Sequence, residues 1–303
     1  MPQVKANGLM LEVESFGRPT DPAILLIMGF SAQMTMWPRA LCDGLAAKGF
    51  HVIRFDNRDV GKSEKLERLG QVSAVEAFGK IAAGEKVVAP YLLDDMTADA
   101  VGVLEALDIP EAHIVGASMG GMIAQLVAIK YPKVARSLTS IMSTTGRPGL
   151  PPGKPEAMAV LMTPPPDTQR ETRIAYAMKA WRTIGSQAPY AADDDELRAT
   201  AGHEVDRVPY YPQGIARQLV GILASPPRHE MLKNVKCPAL VIHGEADPLV
   251  DIAGGRDTAA SIPGARLVTI PGMGHDFTSK LVPVYLREIG NFVAEVEARR
   301  KAA

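Results

Sequence analysis

The chain has 303 residues, 47% hydrophobic and 22% charged, a composition that allows a sizeable buried core. Its formal net charge of −1 supplies no global basic field, so neither nucleic acid nor an anionic membrane is an expected partner. No apolar run approaches the roughly 18 residues of a membrane span, and the opening Met1-Pro2-Gln3-Val4-Lys5 leads into polar residues where a secretory signal needs an apolar stretch; the expectation is a soluble, cytoplasmic protein.

In chain order, Val4 and the run Leu9-Met10-Leu11-Glu12-Val13 flank Asn7-Gly8, a dipeptide that accepts the positive φ angles of a tight turn. A hairpin at one sheet edge is predicted there. Short continuous apolar runs then recur at 23–28, 51–55, 112–115, 138–142, 239–242 and 266–270. Such runs suit strands buried on both faces, as in a parallel sheet. Between them, Leu93, Met96, Ala100, Leu104 and Leu107 fall on one side of a helix, and a second, apolar helix follows Ser118 and stops before Pro132. Strands alternating with helices predict a doubly wound α/β sheet covered on both faces.

The alternation breaks at 146–232, which opens on Arg147-Pro148-Gly149-Leu150-Pro151-Pro152, contains Pro164-Pro165-Pro166 and carries helical patterning around 174–181 and 215–223. The expected organisation is a core of residues 1–145 and 233–303 with 146–232 as a mostly helical cap, inserted after the sixth strand. A smaller irregular excursion is expected at 64–90.

The run at 112–115 leads straight into Gly116-Ala117-Ser118-Met119-Gly120, a GxSxG pentapeptide in a strand-turn-helix setting. That turn presents the serine hydroxyl at the end of the sheet, and Gly116 and Gly120 remove side chains where strand and helix come close. A serine hydroxyl is a weak nucleophile at neutral pH and needs a general base, itself oriented by an acid. In this setting acid and then histidine follow the serine along the chain. Asp247 stands in the loop after 239–242, and His275 ends Pro271-Gly272-Met273-Gly274-His275 after 266–270. Each therefore lies past the carboxyl end of its own strand, where parallel sheets place their sites. Ser118, His275 and Asp247 are the candidate nucleophile, base and orienting acid.

Acyl transfer also needs two donors aimed at the developing oxyanion. The backbone N–H of Met119 is one candidate. The other is that of Phe30, in the turn Met28-Gly29-Phe30-Ser31 after the run at 23–28. Of the six histidines, His51 and His113 begin strands at the opposite end of the sheet, His203 and His229 fall in the cap, and His243 reads as a packed neighbour of the acid loop. Asp251 and Glu245 share that loop and compete with Asp247. Asp276 is expected to cap the following helix, and Asp193-Asp194-Asp195-Glu196 to form a solvated face or helix start. The segment 56–63 reads as a turn supporting the active end of the sheet. Its Gly61-Lys62-Ser63 lacks the glycine five positions earlier that a phosphate loop requires. Cys42 and Cys237 read as reduced thiols, and neither a metal site nor a cofactor is expected.

Through Gly-Ala-Ser-Met-Gly at 116–120, Asp247 and Gly-Met-Gly-His at 272–275, the chain resembles the α/β-hydrolase superfamily over about 4–293. Within it, Leu26-Ile27-Met28-Gly29, Trp37-Pro38, His51-Val52-Ile53-Arg54 and 56–63 are similar to aclacinomycin methylesterase and related carboxylesterases. The resemblance implies a capped parallel sheet and cofactor-free hydrolysis of a small-molecule ester, such as a methyl ester or lactone, by the three candidate residues. Two departures stand out. Met28 occupies the place where many members have histidine, and Asp59 a place where many have glycine. Hydrolysis of a carbon–carbon bond by the same triad is an alternative. A non-catalytic ligand-binding homologue is another, against which the retention of nucleophile, base, acid and oxyanion turn argues.

Overall fold

The computed structural model describes residues 2–302. β1 (Gln3–Ala6) and β2 (Leu9–Phe16) form the hairpin, turned by Asn7 at φ 48° and Gly8 at φ 80°. The sheet continues with β3 (Ala23–Ile27), β4 (His51–Phe55), β5 (Ala112–Ala117), β6 (Ala135–Ile141), β7 (Ala239–Gly244) and β8 (Arg266–Ile270). Its eight strands lie in the order β1-β2-β4-β3-β5-β6-β7-β8, with every pairing from β4 to β8 parallel and β1 and β2 antiparallel at one edge.

The helices preceding β6 are α1 (Arg39–Ala47), α2 (Ala74–Ala82), α3 (Leu93–Ala106) and α4 (Met119–Lys130). Between β6 and β7 come α5 (Pro155–Met162), α6 (Arg170–Ile184), α7 (Asp194–Arg207), α8 (Pro212–Ala224) and α9 (His229–Leu232), and the chain closes with α10 (Ile252–Ser261) and α11 (Val282–Ala302). Among the described residues no helix is long and apolar enough to cross a membrane.

The continuous apolar runs are explained by two cores, one on each face. Side chains alternate along a strand, so Leu25 and Ile27 of β3 pack with Ile114 against Met96, Val103, Ile123 and Val127 of α3 and α4. Ile24 and Leu26 face the other way, with Val52 and Val115 against Leu41, Leu45, Tyr285, Ile289 and Val293 of α1 and α11. Each such aliphatic side chain contributes about 1.5–3 kcal/mol when fully buried.

Two expectations are corrected. The segment 64–90 is not wholly irregular: it holds α2, whose first turn is closed by Ser73 Oγ accepting from Glu76 N, and Ala77 and Val87 pack there with Val220 of α8. β6 begins at Ala135, ahead of its apolar run, because the polar residues there find partners. Ser137 Oγ meets His113 Nδ1 at 2.8 Å, and Arg136 pairs with Glu111 and Glu297.

The α5–α9 segment has a small core of its own, Ile174, Met178, Leu197 and Ala201 between α6 and α7. Its firmest grip on the sheet's loops is ionic. The Arg217 guanidinium on α8 forks onto Asp59, Nε to Oδ2 at 2.9 Å and Nη2 to Oδ1 at 2.8 Å. Asp59 also accepts from the Leu66 amide and the Tyr91 hydroxyl. Burial opposes the charge on Asp59, but these donors outweigh it and hold the carboxyl below its usual range. Asp59 sits at φ 66°, a backbone angle that glycine adopts freely, and an aspartate in place of glycine here gives α8 an anchor. Arg217→Met would leave Asp59 buried without its counter-charge and should cost about 3–5 kcal/mol in urea denaturation; a loss below about 1 kcal/mol would contradict this role.

Candidate active site

Ser118 precedes α4 at φ 55° and ψ −120°, a conformation that costs free energy in any residue but glycine. It is held by its own amide donating to Ile141 O at 2.9 Å and by its carbonyl accepting from Ser143 Oγ at 2.8 Å. The backbone on either side of it is tightly packed. A Cβ on Gly120 would lie 2.0 Å from Ile27 O, and one on Gly116 2.0 Å from Gly120 O, so β3, β5 and α4 meet at this turn without room for a methyl group.

His275 Nδ1 lies 2.7 Å from Asp247 Oδ2, with 8% and 0% of the two side chains exposed. A carboxylate only accepts, so Nδ1 carries the proton and Nε2 is left as the basic nitrogen. The other oxygen, Asp247 Oδ1, accepts from the amides of Leu249 and Val250 at 2.9 Å each. The rival acids are engaged elsewhere: Asp251 accepts from Ala253 N at the start of α10, and Glu245 from Thr269 Oγ1. His243 is fully buried, its Nε2 2.8 Å from Val250 O and 3.6 Å from Asp247 Oδ2, and burial lowers its pKa. Ser118 and His275 follow β5 and β8 at the same end of the sheet, with no hydrogen bond between them among the described residues. Contacts between a nucleophile and its base are often long in the absence of substrate.

The expectation for Asp276 is corrected. Thr278 closes the following turn by accepting from Leu281 N, while Asp276 accepts from the amide and hydroxyl of Ser186 at 2.8 and 2.5 Å. Ser186 Oγ in turn accepts from Gly274 N at 2.9 Å, and His275 N donates to Ile184 O at 2.7 Å. The histidine loop is therefore clamped by the segment just after α6. Gly274 permits it, since a Cβ there would lie 2.3 Å from the Gly185 backbone. Burial raises the Asp276 carboxyl in spite of these donors.

Against Ser118, where a Cβ on Gly29 would lie 3.1 Å from Ser118 Cβ, the turn at 28–31 carries the Phe30 amide, and the first residue of α4 carries that of Met119. Neither amide donates to another group among the described residues. Met28 O accepts from Asn57 Nδ2 at 2.9 Å, and Ser31 N donates to Gln218 Oε1 at 2.9 Å. The Met28 side chain is buried in the core on the α1 side, so the departure from histidine fills space there. Asp56 accepts from Met34 N and Lys62 N and forms an ion pair with Arg207 Nη1 of α7 at 2.7 Å, which makes 56–63 a seat for α7 and α8 as well as a support for the sheet. Sequence reasoning missed Gln218, Arg207 and Arg217. Among the described residues no group of three or more His, Cys, Asp or Glu is placed to hold a metal ion.

Near Arg207, Glu204 accepts from Thr35 Oγ1, and burial raises its carboxyl from 4.5 to about 7. The fold thus takes up a proton that the unfolded chain releases. This stabilisation is complete below about pH 4.5 and lost as pH rises through about 7. Thermal unfolding across that window should show wild type losing on the order of 1–3 kcal/mol relative to Glu204→Gln; parallel pH profiles would contradict the assignment.

A sequence profile for the alpha/beta hydrolase fold matches residues 22–278. Rhodomycin D methylesterase DnrP of Streptomyces peucetius is 29% identical over 287 residues, spanning 86% of this chain and 87% of that enzyme. The 3-oxoadipate enol-lactonase 2 of Acinetobacter baylyi is 25% identical over 255 residues, 83% of this chain and 81% of the relative. Among solved structures, a meta-cleavage product hydrolase from Pseudomonas fluorescens has a TM-score of 0.76 at 20% identity, covering 97% of this chain and 98% of that one, a likeness of fold. The likeness to methylesterases read from short sequence segments thus extends over most of the chain.

Proposed function

The chain belongs to the α/β-hydrolase family, and on that premise we propose that it hydrolyses a small-molecule carboxylic ester through Ser118, His275 and Asp247. The observation that carries this reading is the 2.7 Å bond between His275 Nδ1 and the buried Asp247 carboxylate, which leaves Nε2 free to act as a base. A methylesterase and an enol-lactonase among the relatives favour a methyl ester or a lactone as substrate.

In the proposed cycle His275 Nε2 takes the Ser118 proton as Oγ attacks the ester carbonyl. The carbonyl oxygen becomes an oxyanion facing the N–H groups of Phe30 and Met119. Collapse breaks the bond to the alcohol, which leaves with the proton from His275. Water then attacks the acyl-enzyme, giving its proton to the same nitrogen, and Ser118 recovers its proton as the acid departs. Asp247 stays ionised and stabilises the imidazolium.

Residues 1–145 and 233–303 form the core in this account, and 146–232 is a cap that walls the substrate pocket. Its contacts to the histidine loop through Ser186 and to the oxyanion turn through Gln218 support that placement. Unpaired Cys42 and Cys237 suit a cytoplasmic setting.

Steady-state kinetics on a panel of methyl esters and lactones tests the reading. Ser118→Ala should lower kcat by about 10⁶ and Asp247→Asn by about 10⁴, with Asp251→Asn near wild type. Equal losses at the two aspartates would remove Asp247 from the role, and full activity in Ser118→Ala would end the proposal.

A further inference from the structure

We infer that Gln218, on the cap helix α8, is a positioning residue for the oxyanion turn. The inference rests on the ester-hydrolase reading, in which the Phe30 amide meets the oxyanion. Gln218 is fully buried, and its amide bridges two loops far away in sequence. Oε1 accepts from Ser31 N at 2.9 Å, and Nε2 donates to Arg58 O at 2.9 Å. A peptide N–H can only donate and a peptide carbonyl can only accept, so the orientation of this amide is fixed by its partners.

The two bonds matter because of which peptide planes they hold. The Phe30 N–H belongs to the Gly29–Phe30 peptide. The plane before it ends in Met28 O, which Asn57 Nδ2 holds at 2.9 Å. The plane after it carries Ser31 N, which Gln218 holds. Ser31 itself sits at φ 57°, a conformation that a serine leaves unless something retains it. Two side-chain amides therefore pin the turn on either side of the donor, and one of them comes from α8. The neighbouring Arg217 forks onto Asp59, which sets α8 against the same 56–63 loop that presents Arg58 O.

An oxyanion exists only in the transition state and the tetrahedral intermediate. A loosened donor should therefore lower kcat and leave ground-state binding almost untouched. Gln218→Met keeps the volume and removes both bonds, whereas Gln218→Glu keeps an acceptor for Ser31 N. On an ester that wild type turns over, Gln218→Met should lose about 10- to 100-fold in kcat with KM within about 2-fold. A trifluoromethyl ketone, whose adduct with Ser118 carries an oxyanion, should bind it more weakly by a similar factor. Gln218→Glu should retain a larger share of kcat, a rescue that a purely space-filling role would not produce. Unchanged kcat, or a loss confined to KM, would overturn the inference. If Gln218→Met does not fold, Gln218→Asn decides, since its shorter side chain cannot span Ser31 and Arg58 together: reduced kcat supports the role and unchanged kcat overturns it. Wild type that hydrolyses no ester would sink the parent reading and this inference with it, whereas active wild type with unaltered variants would sink the inference alone.

Discussion

At the junction of β3, β5 and α4 the backbones approach so closely that a methyl group on Gly120 would sit 2.0 Å from Ile27 O. Ser118 lies inside that junction and has no relaxed conformation available while the strands and helix stay packed. Its positive φ costs on the order of 1–3 kcal/mol. The packing offsets this, because buried Ile114, Val115, Ile123 and Val127 on β5 and α4 contribute about 1.5–3 kcal/mol each. The strain is useful where it falls. It turns the hydroxyl out at the carboxyl end of the sheet, at the N-terminus of α4, where unpaired amides and the helix dipole favour negative charge. Parallel strands bring the remaining pieces to the same end: the turn after β3 carries Phe30, and the loops after β7 and β8 carry Asp247 and His275.

The α5–α9 segment reaches this end through polar grips. Ser186 holds the histidine loop, Gln218 the turn at 28–31, and Arg207 and Arg217 the carboxylates of Asp56 and Asp59. Apolar surface alone would let helices slide over the loops by a fraction of a turn. Forked ion pairs and amide bridges do not, since a small shift leaves buried donors and acceptors unpaired at a cost of about 1–3 kcal/mol each. Pairs of this kind fix where a segment sits more than they add to stability. In this molecule they link the position of α6 and α8 to the geometry around Ser118.

Much of this was legible in the sequence because burial on both faces writes a strand as an uninterrupted apolar run. The loops that carry Ser118, Asp247 and His275 could be placed at one end of the sheet because each follows such a run directly. What escaped has the opposite character. Near the start of β6, Arg136 and Ser137 are polar and, within the strand, find partners in Glu111, Glu297 and His113. Helix α7 was legible only at its start, where Asp193 accepts from Glu196 N, since Leu197, Ala201 and Gly202 are its buried face. Asp276 looks like a cap for the next turn until Ser186, 90 residues away, is brought against it. Gln218 is an ordinary helical residue in sequence, and its partners lie 187 and 160 positions distant. Two helices carried unused local signals: α2 the Ser73-to-Glu76 spacing of a helix start, and α5 a proline at its first position.

The proposed cycle requires Ser118 to be a nucleophile activated by His275. Exposure to a fluorophosphonate followed by intact-mass analysis and peptide mapping tests it most directly, because a covalent adduct reports the serine's reactivity without knowledge of the natural substrate. One adduct per chain is expected, on the peptide containing Ser118, with labelling greatly slowed in His275→Ala. A folded protein that takes no label, or takes it equally well without His275, would contradict it.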